Sequence, residues 1–490
     1  MTDLTPRVPY RPLLWPNFVF DLQDALTDLA EPAYIVGGAV RDALLHRPVK
    51  DLDITVAQDG IRLARHIANQ FKGDFYPLDV ERDVGRALVE TREGRLVIDV
   101  ARFRGATLQD DLADRDFTIN AMAVDLSGDL NRLIDPLNGE ADVKEKVLRR
   151  CSDHAITDDP QRGLRAVRQS VQLGLRIENA TRDDVRVSAG SLHSISAERL
   201  RDEFIKMLAL PKAVSAVRVS DALGLLNVII PEVRALRDLM LPDQAVSGGW
   251  QHTLAVVESI GHIMAAFTPG RSDAPASFGI GSLVMQLDRY RGPLLRHLQM
   301  LWPDERPHYA LLTLAALLHD TGAGEGLADT EARSAALART RAVALRLSNT
   351  EAERLETMVR QHKLPLQLDN PDDLALHRFW YKHGVAGVDI CLLALANTLG
   401  AAGSEIRQEA WLSVVERVRL LLQAYYERYD EVVAPVPFVD GNQLMQALDL
   451  TPGPVVGELM SLIREAQVVG QVQNAEDAIQ IARARLNNQP

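Results

Sequence analysis

The chain changes its hydrophobic periodicity once, near residue 150, and that change limits the folds open to it. Before it, short β-like segments alternate with helical stretches: AYIVGG, DLDITVA, DFYPL, GRALVE and RLVIDVARF. GRALVE and RLVIDVARF flank Thr91–Gly94 and predict an antiparallel hairpin. After about residue 158 the apolar residues recur every three or four positions, as in GLRAVRQSVQL and WLSVVERVRLLLQAYYERY. The expectation is an α+β fold, with a mixed-sheet head followed by a long all-α remainder. Two proline pairs, Pro303 with Pro307 and Pro435 with Pro437, punctuate the helical part.

At 490 residues the chain has length for two to four domains. Its start has no basic stretch followed by an apolar run, and no apolar run nears the roughly 20 residues needed to span a bilayer. The two cysteines, Cys151 and Cys391, make neither a zinc spacing nor a disulfide framework. These features predict a cytoplasmic protein with no membrane partner. The net charge of −13 excludes broad, nonspecific affinity for nucleic acid but leaves room for a local basic groove. Arginines do concentrate, at Arg149, Arg150, Arg162, Arg165 and Arg168 and again at Arg333, Arg339 and Arg341.

The densest chemistry lies in YIVGGAVRDALLHRPVKDLDITV. A strand over Tyr34–Val36 runs into Gly37 and Gly38, and a helix begins near Ala39. Paired glycines let a ligand approach the backbone, and the helix start offers N–H groups to phosphate. In the next strand, period two puts Asp51, Asp53 and Thr55 on one face and Leu52, Ile54 and Val56 toward the core. Two carboxylates on one face repel unless a cation lies between them. Mg²⁺, which prefers oxygen ligands and phosphates, suits the pair. Alternation in RLVIDVARF turns Asp99 away from the core as a third acidic position.

GGAVRDALLHRPVKDLDI resembles the first motif of the nucleotidyltransferase superfamily, in the class II branch of tRNA CCA-adding enzymes and bacterial poly(A) polymerases. The resemblance spans about residues 33–208, with five motifs in order. It implies a polymerase-β-like head with catalysis on Asp51 and Asp53, and nucleotide binding by Gly37, Gly38 and Arg41. DLADRDFTINAMAVDL resembles the second motif, with Asp114 in place of its first arginine, and implies that Arg115 and Asp116 select the ribose with support from Asn120. LIDPLNGEADV resembles the third motif. TDDPQRGLRAVRQSVQLGL resembles the base-reading motif, which implies that Asp159 and Arg162 replace a template, with Arg165 beside them. Three residues apart, Asp159 and Arg162 are expected on one helix face. Asp158 stands where the family usually has Glu. SISAERLRDEFIKMLAL resembles the fifth, scaffolding helix.

Farther on, QHTLAVVE and LLTLAALLHDTG place His252 and His319-Asp320 in helices, which resembles the HD phosphohydrolase superfamily. That superfamily's last ligand is an Asp on a later helix. DICLLALANTLG offers Asn397 there, and Asp389 comes too early. The expected organisation is a catalytic head over 1–148, a base- and RNA-binding neck over 149–240, an HD-like helical domain over 241–400 and a helical tail over 401–490.

The resemblance implies an enzyme that adds C, C and in complete members A to the 3′ end of tRNA from CTP and ATP. Rival readings are a poly(A) polymerase, whose family members typically end in a basic tail unlike IQIARARLNNQP, and an HD-type phosphohydrolase with an inert head. In complete CCA-adding members a long flexible loop precedes the second motif. Here only Gly105–Gln109 separate Arg104 from Asp110, which leans the reading to CC addition with a separate A-adding enzyme.

Overall fold

The computed structural model describes residues 4–27, 29, 31–240, 246, 248–270, 277–324, 328–403 and 406–487. They form two compact units, one of Met1–Ser196 with Ala222–Val228, the other of Ala197–Asp221 with Ile229–Pro490. The boundaries expected at 148, 240 and 400 each fall inside a unit.

The first unit is built on six strands: β1 (Ala33–Val36), β2 (Asp51–Val56), β3 (Asp74–Asp79), β4 (Val84–Thr91), β5 (Gly94–Arg102) and β6 (Ala123–Asp125). Their order is β3-β4-β5-β2-β1-β6, with β2 parallel to β5 and the other pairings antiparallel. The mixed sheet is as expected. So is the β4–β5 hairpin, which turns at Arg92 and Glu93 and sets Arg86 opposite Asp99.

Alternation along β4 and β5 gives the sheet two unlike faces. Ala87, Val89, Ile98 and Val100 are buried on the face covered by the Gly60–Gln70 helix, whose Leu63, Ala64 and Ile67 are buried as well. Gly85 belongs to that face, where an added Cβ would come within 2.7 Å of Ala64. From β3 to β2 the other face keeps solvent access, and it carries Asp51 and Asp53. Leu52, Ile54 and Val56 are buried as expected. Thr55 is buried too, which corrects its placement with the accessible aspartates, because the strand runs under cover at its far end.

β5 leads to the helix Leu108–Ala113 through only Phe103–Thr107. Thr107 and Asp110 close a capping box at its start, and Asp111 accepts from the Arg104 N–H. An added Cβ on Gly105 would lie 2.3 Å from the Asp110 Cβ.

The described part of the second unit is helical. Its last three helices, Gly441–Leu448, Pro454–Val468 and Ala475–Asn487, share a core of Leu444, Leu459, Ile463, Ala478 and Ala482. Among the described residues no single helix is long and apolar enough to cross a membrane.

Candidate active site

The sheet's accessible face sets the first aspartates. Asp53 pairs in register with Asp99 across the parallel β2–β5 contact, so both carboxylates leave the same side. Asp99 does not stand as a lone third acid, since Arg86 grips it with Nε at 2.6 Å and Nη2 at 2.7 Å. Surrounding protein raises the Asp53 pKa. Arg115 opposes the rise, while Asp99 and Asp51 add to it. Because Asp53 keeps solvent access, the like charges are the part of this cost that a bound cation relieves. The donor set therefore fits a metal held by Asp51 and Asp53.

Gly37 lies beside Asp53 with φ at +76°, a conformation that suits glycine. An added Cβ there would stand 3.1 Å from Arg115 Nη1 and 3.2 Å from Asp53 Oδ2. The glycine thus lets a guanidinium and a carboxylate close on the chain. Its N–H donates to Met122 O at 3.3 Å.

Behind this lies a buried polar network. Asn120 donates to Asp116 Oδ1 at 2.9 Å and to Gln169 Oε1 at 3.0 Å, while its Oδ1 accepts from Arg41 Nη1 at 2.6 Å. Arg165 meets Asp116 through Nε at 2.8 Å and Nη2 at 2.7 Å. Burial alone would raise the Asp116 pKa. Arg165, Asn120 and the Phe117 N–H instead hold it well below the usual carboxylate range. A network with its members satisfied is rigid and charged in a defined way. It ties the second motif to the Gln161–Leu173 helix.

Arg115 is anchored on buried Asp111 at 2.9 Å. Arg162 donates to main-chain carbonyls, Asp114 O at 2.8 Å and Ala155 O at 3.1 Å. Asp159 departs from expectation. It has φ −137° and ψ 92°, outside both the Ala155–Asp158 and Gln161–Leu173 helices, so the shared helix face with Arg162 does not form. The cause is Pro160, whose ring disfavours helical backbone in the residue before it.

Comparison with known proteins fits this arrangement. The pattern of the Poly A polymerase head domain matches residues 33–149, that of the RNA and SrmB-binding site of polymerase A residues 174–236, and that of tRNA nucleotidyltransferase domain 2 residues 414–482. A CC-adding tRNA nucleotidyltransferase of Geobacter sulfurreducens is 33% identical over 448 residues, 91% of this chain and 90% of that one. The chain belongs to the tRNA nucleotidyltransferase family. An A-adding member from Deinococcus radiodurans is 32% identical over 466 residues, covering 91% of this chain and 94% of its own. The fold is that of a CCA-adding enzyme solved with CTP (TM-score 0.61, 21% identity, 96% of this chain and 95% of that one). It is also that of the Thermotoga maritima enzyme solved with tRNA (TM-score 0.55, 20% identity, 96% and 95%).

Among the described residues, the second half of the chain holds two histidine-rich clusters. His252 Nε2 lies 3.2 Å from His319 Nε2 and 3.7 Å from Asp320, and His319 lies 3.3 Å from Asp320. Asn397 Oδ1 stands 2.9 Å from His252, where the Asp of an HD site is expected. His362, missed in the sequence, stands edge-on to His319 with ring centroids 5.2 Å apart. Burial, with His319 adding to it, lowers both His252 and His362 to about 4. Of the second cluster the sequence singled out only Asp389, and not its partners. His297 meets Asp389 at 2.7 Å, and His308 and Arg354 each approach it to 3.1 Å. These four residues come from four helices, so no local spacing announces them.

Proposed function

We propose that this chain is a template-independent nucleotidyltransferase that builds the 3′ end of tRNA, adding C and C from CTP. In each addition the 3′-hydroxyl oxygen of the RNA bonds to the nucleotide's α-phosphorus, and the bond to pyrophosphate breaks. Mg²⁺ held by Asp51 and Asp53 would supply charge neutralisation for the triphosphate and acidify the attacking hydroxyl. The remaining work falls to the chain's own residues. Arg115, fixed on Asp111, presents positive charge beside Asp53. Asp116, held by Arg165 and Asn120, and Arg115 form the carboxylate–guanidinium pair that would bracket a ribose hydroxyl. Arg162, clamped by the carbonyls of Asp114, Arg115 and Ala155, keeps its remaining N–H groups for a base edge, with Asp159 the acceptor for an exocyclic amine.

The observation that carries the CC reading is the five-residue link Phe103–Thr107, pinned at its end by the Thr107–Asp110 capping box. A connection this short and this tied has no length to act as a lever between nucleotides. Sequence similarity does not separate the alternatives, because the CC-adding and A-adding relatives stand at 33% and 32% identity. On this reading the partners are tRNA, CTP and a separate A-adding enzyme that uses ATP. Residues 1–148 act as head, 149–240 as neck, 241–400 as HD-like body and 401–490 as tail. The test is incorporation of labelled CMP or AMP into tRNAs ending at the discriminator base, C or CC. Two additions on the first, one on the second and none on the third are expected, and efficient AMP addition to the third overturns CC specificity.

We also propose that His252, His319 and Asp320 hold a second cation. Two imidazoles and one carboxylate within 4.8 Å suit a nitrogen-preferring ion rather than Mg²⁺. With neutral Asn397 in the fourth place, that cation's role is structural.

A further inference from the structure

One line of side chains crosses the accessible face of the sheet in strict register. Tyr76 on β3 pairs with Arg86 on β4, Arg86 with Asp99 on β5, Asp99 with Asp53 on β2. Partners in register point to the same side, so an aromatic ring, a guanidinium and a carboxylate lead in sequence to Asp53. The ribose and base network does not include this line. That network lies on the other side of Asp53, where Gly37, Arg115 and the Asp116–Arg165 pair gather.

We propose that Tyr76 and Arg86 form the track for the 3′-terminal nucleotides of the RNA being extended, with Asp99 as the residue that positions Arg86. The inference rests on the nucleotidyltransferase reading above and says where its second substrate lies.

Three observations carry it. The reaction brings two polyanions to one pair of aspartates, and each needs its own directed cation to approach them. Arg115 serves one flank of Asp53 and Arg86 the other. Arg86 is also held ready: Asp99 takes Nε and Nη2 in a bidentate grip, and the ion pair raises the Arg86 pKa further above its ordinary value. A guanidinium has five N–H donors, so this grip leaves others for a phosphodiester oxygen. Finally, Tyr76 is a large aromatic left 40% exposed at the sheet edge, next in line after Arg86. An exposed ring beside a fixed guanidinium is the combination that takes an unpaired base and its phosphate. It also explains why Asp99 is paired: a carboxylate spent on Arg86 orients a phosphate ligand instead of gathering a third negative charge at the metal.

Steady-state kinetics with tRNA ending in C separate the possibilities. Arg86→Ala and Tyr76→Ala should each raise KM for tRNA about tenfold while KM for CTP stays within about twofold. Arg86→Lys should recover part of the loss, and Tyr76→Phe most of it. Asp99→Asn should match Arg86→Ala, with the double variant no worse than either. Thermal melts identify any variant that fails to fold, in which case Arg86→Lys and Tyr76→Phe, compared with Tyr76→Ala, carry the test. Unchanged tRNA KM in the folded variants overturns the track. An Asp99→Asn enzyme that loses kcat and needs more Mg²⁺, beside an unaffected Arg86→Ala, makes Asp99 a metal ligand and also overturns it. Wild-type protein that extends none of the three tRNAs sinks the parent reading instead.

Discussion

Asp116 Oδ2 lies 2.7 Å from Arg165 Nη2, which joins the strand-rich part of the first unit to the Gln161–Leu173 helix through one buried carboxylate. The pair is asymmetric. The Asp116 side chain is 7% exposed and that of Arg165 is 37% exposed, so the carboxylate depends on the guanidinium more than the reverse.

Asp116→Asn keeps the shape and removes the charge. Because the folded pKa of Asp116 is depressed, its contribution is fully present above the unfolded value, about 3.9, and is lost as pH falls through the folded pKa. Wild-type melting temperature should therefore fall more steeply below pH 4 than that of Asp116→Asn. At pH 7 the variant should be less stable by about 1–2 kcal/mol, discounted for the solvent reaching Arg165. Its preference for ribo- over deoxynucleotides should shrink. Parallel melting curves in acid, or unchanged sugar selectivity, would count against the role given to this pair.

Asp53→Asn should trade activity for stability. Surrounding protein raises the Asp53 pKa and nearby Asp99 and Asp51 reinforce it, so its charge works against the fold above that pKa. In metal-free buffer at pH 7 the variant should melt slightly higher than wild type, the gain being reduced by the solvent that reaches Asp53. CMP incorporation should vanish while tRNA binding persists. Residual incorporation within about tenfold of wild type, some 1.4 kcal/mol of barrier, defeats the catalytic assignment.

What could be read from the sequence followed from local rules. Period two exposed Asp51 and Asp53 and buried Leu52, Ile54 and Val56. The hairpin register about Thr91 and Gly94 already contained the Arg86–Asp99 pairing. Pro160 likewise contained the extended backbone of Asp159, which the i,i+3 argument overlooked. The Asp53–Asp99 neighbourhood was not legible, since parallel strands 46 residues apart share no local signal. Nor was the Asp389 cluster, whose members meet only when four helices pack.

Arg162→Ala should relax the choice among nucleotides. Its guanidinium is held by Asp114 O and Ala155 O, so its direction is set before a base arrives. A good bidentate contact gives roughly 1–3 kcal/mol of discrimination, so the CTP-over-UTP ratio in kcat/KM should fall by about five- to a hundred-and-fiftyfold. Uniform slowing at constant ratio would assign Arg162 to scaffolding.

The His252–His319–Asp320 cluster predicts a second metal separable from Mg²⁺. Protein loaded with Co²⁺ and desalted should retain about one ion per chain with ligand-field bands typical of nitrogen coordination. His319→Gln should lose both while CMP incorporation continues. Equal retention by wild type and His319→Gln, or none by either, removes the assignment.

The final prediction concerns the link between β5 and the Leu108–Ala113 helix, on which the CC reading stands. Thr107 accepts from the Asp110 N–H, and Asp110 in turn accepts from Thr107, so the helix start and the link end are one structure. Thr107→Ala breaks this box and should cost about 0.5–2 kcal/mol. Gly105→Ala forces a Cβ against Asp110 and should cost about 1–3 kcal/mol through overpacking. If the link only joins strand to helix, both variants will melt lower, add CMP more slowly and still stop after CC. If it takes part in choosing the nucleotide, loosening it will change the product: AMP appears on tRNA ending in CC, or a third CMP is added. Product length on sequencing gels, read beside the melting curves, decides between a tie and a lever, and a changed product at unchanged stability removes the argument from the short link.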